Sequence, residues 1–204
     1  YVEEHGSDSL APSRKNPLTH EIIMAMLTTP NGATLPRSRL RVAWDTYFWT
    51  SVMATFSVLA ETGMRKGDVS TPAAAALRKG RLTFASVRWL INGERVAAPS
   101  LEQLLSIGAS RSGCWIVFGC LKNDAFGECF GSKPAWLPYA ADAARNACRA
   151  LVSLEIAAAR DGLTAARRSS VPLFGPSMGR EWYHSKLDSV FVLLLRCGAG
   201  LSVT

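Results

Sequence analysis

The sequence predicts an α+β domain, mostly helical, with one small three-stranded antiparallel sheet. Three observations carry this. Apolar residues recur at helical spacing near both ends and in an alanine-rich segment after residue 140. Short runs rich in Val, Phe, Thr and Trp occupy the middle, one of them followed by the hairpin turn Asn92-Gly93. Finally, 48% hydrophobic residues and 9% aromatics in 204 residues are ample for a buried core.

Residues 1–16, with Gly6, Ser7, Asp8, Ser9, Pro12 and Ser13, are polar and turn-rich and read as a linker, so order is expected from Pro17. Thr19 can cap a helix carrying Ile22, Ile23, Met26 and Leu27, which Pro30-Asn31-Gly32 ends. A longer helix is expected from Leu40 through Val42, Trp44, Tyr47, Phe48, Val52, Phe56 and Leu59 to Gly63, a good residue just past a helix end. Strand is expected over 82–90, returning through Asn92-Gly93 into 95–97. A second β run, 114–118, leads through Lys122-Asn123-Asp124 and Gly127 into a third at 128–130, a second hairpin with Lys122 in its turn. The stretch from about Asn92 to Gly113 has no assigned role. From 140 to 160, Ala144, Ala147, Cys148, Leu151, Val152, Leu154 and Ile156 form one apolar face, and Asp161-Gly162 closes the helix. An extended connection over 172–176 precedes a final helix over 182–197, stopped by Gly198 and Gly200.

Lys and Arg number 23 against 16 Asp and Glu, a net charge of +7 and a pI near 9.5, which favours polyanionic partners. The cysteines Cys114, Cys120, Cys129, Cys148 and Cys197 are odd in number and form no C-x-x-C pair, so neither a disulfide framework nor a metal site is expected. Reduced thiols point to an intracellular protein that is not secreted. The apolar run 190–195 is far too short to span a bilayer. The chain opens at Tyr1 and stops at Thr204 after an apolar stretch, and both ends read as cuts.

The chemistry concentrates in Glu61-Thr62-Gly63-Met64-Arg65-Lys66-Gly67-Asp68. A guanidinium just past a glycine turn offers a planar fork of donors matched to two phosphate oxygens, and Asp68, three residues on, can orient it. An arginine at a helix C-terminus is also favourable to the helix dipole with no ligand at all.

Thr62, Gly63, Met64, Arg65 and Asp68 together resemble the first box of the tyrosine recombinases, the phage-integrase-like family. There, a short sheet follows the box, and a lysine in the turn between its second and third strands reaches the scissile phosphate. Lys122 sits where that lysine belongs, with Lys133 a competitor for the role. The run 122–128, followed by Ser132-Lys133-Pro134, is similar to the recombinase domains of crypton-type mobile elements. The spacing from Arg65 to Lys122 exceeds that of compact members of the family. The family's His-x-x-Arg box and nucleophilic tyrosine follow a helix that 182–197 resembles. His184 is followed by Ser185, Lys186 and Leu187 and does not make that box, while Tyr139 and Tyr183 fall too early to be the nucleophile.

The resemblance implies a linker, 1–16, from an N-terminal DNA-binding domain, then the N-terminal part of a catalytic domain over 17–204. It implies that the intact protein breaks and rejoins DNA through a phosphotyrosyl link, without metal, nucleotide cofactor or small-molecule substrate. Arg65 would neutralise charge on the scissile phosphate, and Lys122 would protonate the leaving oxygen as general acid. Lys66, Lys133, Arg167 and Arg168 would add contacts to double-stranded DNA. The intact protein would act as a homotetramer on DNA, in the nucleus if eukaryotic, while residues 1–204 keep DNA binding only. The alternatives are a recombinase-derived DNA-binding domain that has lost catalysis and an α+β interaction domain with no DNA role.

Overall fold

Where helices form, their termini follow from local chemistry. In the computed structural model, which describes residues 20–72, 81–108, 110–118, 134–141 and 146–198, α1 spans His20–Leu27 and α2 spans Tyr47–Thr62. Helix α2 buries Trp49, Val52, Ala54, Phe56 and Val58, together with Thr50, Ser51, Thr55 and Ser57. The threonine hydroxyls are accommodated by bonding back along the helix, Thr50 to the Thr46 and Tyr47 carbonyls at 3.0 Å and Thr55 to Ser51 at 2.6 Å. Ser51 instead accepts the amide of Gly175 at 3.0 Å, tying the 172–176 connection to the helix.

The segment 40–43, expected as the start of this helix, is extended, and a turn over Trp44 and Asp45 leads into the helix. Thr34 and Arg41 form an antiparallel bridge, Val42 is buried, and Trp44 donates to the Thr29 carbonyl at 2.8 Å. Leu40, Val42 and Trp44 alternate with period two, the strand period, and only the residues from Tyr47 onward turn helically.

One turn, α3 (Lys66–Val69), follows the Arg65 segment and runs into β1 (Ser70–Thr71). The central sheet contains β2 (Val87–Ile91), β3 (Glu94–Val96), β4 (Gly113–Ile116) and β5 (Ala135–Pro138), in the order β3-β2-β4-β5, all antiparallel. Among the described residues it has four strands where three were expected. Residues 82–86, expected as strand, hold a 3-10 turn, Phe84–Ser86. The Asn92-Gly93 turn forms as predicted, with positive φ at both residues (53° and 92°). The expected third strand, 128–130, lies outside the described residues. The strand that pairs with β4 is β5, flanked by Pro134 and ending in Pro138, a proline tolerated because β5 is an edge strand. Between β3 and β4, α4 (Leu101–Leu105) is closed by a reciprocal Ser100–Gln103 capping box.

Helix α5 (Ala147–Arg160) begins seven residues later than the expected 140. Asn146 defines its start: its Oδ1 accepts the Arg149 amide at 2.9 Å, and its Nδ2 donates to the Pro138 carbonyl at 2.9 Å. The packing of α2 against α5 is the most extensive contact between elements, and α6 (His184–Gly198) packs on α1. Trp182–Tyr183, expected as the first turn of the last helix, forms β6, parallel to β1.

One face of the sheet, with Val87, Trp89, Ile91, Cys114, Ile116 and Leu137, is buried. Trp89 Nε1 donates to Glu155 Oε1 of α5 at 3.3 Å. Glu155 also receives Arg168 in a two-pronged pair, 2.9 Å to Oε2 and 2.5 Å to Oε1, and Arg168 Nη2 donates to the Phe84 carbonyl at 3.0 Å. Arg168 is thus a buried structural residue, which corrects its expected place on a DNA-facing surface; the adjacent Arg167 is exposed. The Cys114 and Cys148 thiols are free and buried, and burial, then the hydrogen bond between them, pushes the Cys114 thiol well above its ordinary range. Among the described residues, no helix is long and apolar enough to cross a membrane.

Candidate functional site

The Arg65 segment is built from the end of α2 outward. Thr62 Oγ1 donates to the Val58 carbonyl at 2.6 Å, and Gly63 turns left-handed (φ 67°) with its amide on the Leu59 carbonyl at 3.1 Å. A Cβ at Gly63 would touch nothing within 4 Å, so the backbone conformation rather than space demands glycine here. Met64 then packs against the core, and Arg65 is exposed.

Asp68 Oδ2 accepts the Arg65 amide at 2.9 Å, closing the one-turn helix. Asp68 was expected to orient the guanidinium; the bond instead holds the arginine by its backbone. Among the described residues, the Arg65 side chain has no hydrogen-bond or ion-pair partner. The fork of donors points from a fixed backbone with its valences open, the arrangement an arginine needs to grip an oxyanion.

Lys66, expected to touch DNA, reaches α6 instead. Its ammonium lies 2.8 Å from both Asp188 oxygens, with the two side chains 46% and 50% exposed. An ion pair this exposed contributes about 0–1 kcal/mol and is screened by salt. Lys122 and Lys133 lie outside the described residues.

His184 arrives here although sequence reasoning left it as an incidental histidine. Its Nδ1 lies 2.6 Å from Ser70 Oγ, and that hydroxyl is also 2.8 Å from the Lys66 carbonyl. With the carbonyl taking the hydroxyl proton, the His184 contact is Nδ1–H donating to Oγ, which leaves Nε2 as an acceptor when the ring is neutral. The signal that could have found this is the pairing Ser70↔Trp182 and Thr71↔Tyr183, too short for any periodicity to announce. Beside it, Ile23, Phe56, Met64, Lys66, Leu187 and Phe191 help to line a hollow of about 370 Å³ between α2 and α6. Trp182 anchors that corner, wholly buried and edge-on to Phe48 at 5.3 Å.

Glu61 completes the segment. Its Oε1 accepts the Ala147 amide at 2.6 Å, so the residue before Thr62 holds the first turn of α5. Among the described residues, no group of three or more His, Cys, Asp or Glu could hold a metal ion. The chain finds no match among protein-family models, curated proteins or solved structures.

Proposed function

We propose that residues 17–204 are the N-terminal part of the catalytic domain of a tyrosine-type site-specific recombinase, whose intact form breaks and rejoins double-stranded DNA. The observation that carries this reading is Arg65: an exposed guanidinium without a partner among the described residues, on a turn held by Gly63, Met64 and Asp68. It is followed in the chain by a small antiparallel sheet.

In this reading Arg65 binds two non-bridging oxygens of the scissile phosphate and stabilises the charge that grows there as a tyrosine hydroxyl attacks. The 5′-oxygen leaves with a proton supplied by Lys122, and the strand is held as a 3′-phosphotyrosyl ester until a 5′-hydroxyl reverses the step. The intact protein works as a homotetramer bringing two duplexes together. In this reading residues 1–204 contribute duplex binding and not the covalent link.

The test is the salt dependence of duplex binding. Loss of one phosphate contact in Arg65→Ala should make the slope of log K against log salt shallower by about 0.9. Between 50 and 200 mM salt, a fourfold change, this amounts to roughly a 3.5-fold difference in how far affinity falls. A slope unchanged in Arg65→Ala, or a covalent DNA adduct formed by residues 1–204, would overturn the proposal.

A further inference from the structure

The face of the sheet turned away from α5 carries a set of side chains that the Arg65 site does not use. Strand register places Arg88, Trp115 and Trp136 in one row across β2, β4 and β5. Arg95, opposite Leu90, stands beside that row on the same face. The two indoles meet at 4.4 Å between ring centroids, and the Arg95 guanidinium lies over Trp115 at 5.7 Å. Trp136 is 42% exposed, among the most exposed large apolar side chains described.

Trp115, Arg88 and Arg95 also line a hollow of about 520 Å³ that no described carboxylate lines. That size lies within the range of about 300–1,000 Å³ typical of small-ligand sites, enough for a nucleotide. A paired, part-exposed indole surface is an informative apolar patch, and two guanidinia with no carboxylate beside them among the described residues favour an anion. An aromatic pair at the sheet edge, tilted by 46° and bordered on its β2–β3 side by cations, matches one chemistry closely: an unstacked base with its adjoining phosphates running along one side.

We propose that this face is a binding site for single-stranded DNA, with a base stacked on Trp136 and the phosphates of the strand that runs on across β4 toward β2 and β3 neutralised by Arg88 and Arg95. Duplex DNA cannot use the site in the same way, because its bases are stacked on one another and present only their edges. The choice of DNA over RNA rests on the proposed function, which brings a DNA duplex to the same molecule; the stacking site itself is argued from the sheet alone.

The experiment measures binding of the 204-residue chain to fluorescently labelled oligo(dT), oligo(rU) and a duplex of equal length by anisotropy. Trp136→Ala should weaken oligo(dT) binding by at least about fivefold, the loss of one base stack, and Trp136→Phe should retain most of it. The double variant Arg88→Ala/Arg95→Ala should weaken it and flatten its salt slope, while duplex affinity stays within about twofold in all three. Arg65→Ala should do the reverse. Wild-type oligo(dT) affinity in Trp136→Ala, equal losses for single strand and duplex, or tighter binding of oligo(rU) than oligo(dT) would overturn the inference. Duplex binding without oligo(dT) binding sinks this inference and leaves the Arg65 reading standing, and the opposite pattern does the converse.

Discussion

Replacing Arg168 by Ala separates a structural arginine from a DNA-binding one. The Glu155 and Arg168 side chains are 3% and 7% exposed, and Arg168 supplies Glu155 with two charged hydrogen bonds and caps the Phe84 carbonyl. After truncation the buried carboxylate keeps, among the described residues, only the Trp89 indole, at 3.3 Å. Breaking a buried pair from one side costs about 3–5 kcal/mol, a large part of the roughly 5–15 kcal/mol that a domain has in total. At about 2–4 °C per kcal/mol for a chain of this size, the melting midpoint falls by about 6–20 °C. Urea and thermal melts followed by circular dichroism measure both quantities. The double variant Glu155→Gln/Arg168→Met, which removes both charges together, should recover most of the loss, because attraction between buried ions is largely offset by their desolvation. Arg167→Ala should stay within about 0.5 kcal/mol of wild type. An Arg168→Ala protein as stable as wild type but weaker on duplex DNA would refute the reasoning and restore Arg168 to a binding surface.

Two further substitutions test the core. The Tyr47 hydroxyl is buried without a partner among the described residues, and burial, then the charges of Asp161 and Glu155, holds its ionisation well above the ordinary value. Tyr47→Phe should therefore stabilise by about 1 kcal/mol. Because folded Tyr47 keeps its proton where the unfolded chain has lost it, wild-type stability should fall as pH rises above about 10, and the phenylalanine variant should lack that component. Parallel stability curves for the two proteins between pH 9 and 11.5 would contradict this. At Gly113 a Cβ would stand 2.6 Å from the Leu137 carbonyl oxygen and would also press on the Trp136 ring. Gly113→Ala should cost about 1–3 kcal/mol by forcing β4 and β5 apart, and a melt unchanged from wild type would show that the pairing is looser than its register.

The sequence is most readable where one local rule acts alone. The 3.6-residue period of 147–160, the Asn92-Gly93 turn and the left-handed Gly63 all appear as expected. Where two periods abut, reading fails: Leu40, Val42 and Trp44 share an apolar run with α2, and only the Thr34–Arg41 bridge shows that the segment before Trp44 is extended. The Ser100–Gln103 capping box was present in the sequence, yet five residues leave no room for an amphipathic pattern to support it. At the site, the closeness of Asp68 to Arg65 was legible because it is local, though not that the bond falls on the backbone. The approach of His184 to Ser70 and of Lys66 to Asp188 was not, since each joins residues more than a hundred positions apart. Arg168 was misread for a related reason: in the sequence it is one of two adjacent arginines in a polar loop, and only Glu155 on another element distinguishes it from Arg167.

The two carboxylates bracketing Arg65 set how its environment responds to ionic strength. Glu61 and Asp68 each accept a backbone amide, of Ala147 and of Arg65, and among the described residues neither pairs with a cation. A carboxylate–amide bond involves one net charge rather than two, so dissolved ions have little to screen. The Lys66–Asp188 pair should loosen as salt is added, but the turn presenting the guanidinium should hold its shape. On the proposed function, duplex affinity lost in a salt titration would then report counterions competing for the phosphate rather than a change in the turn.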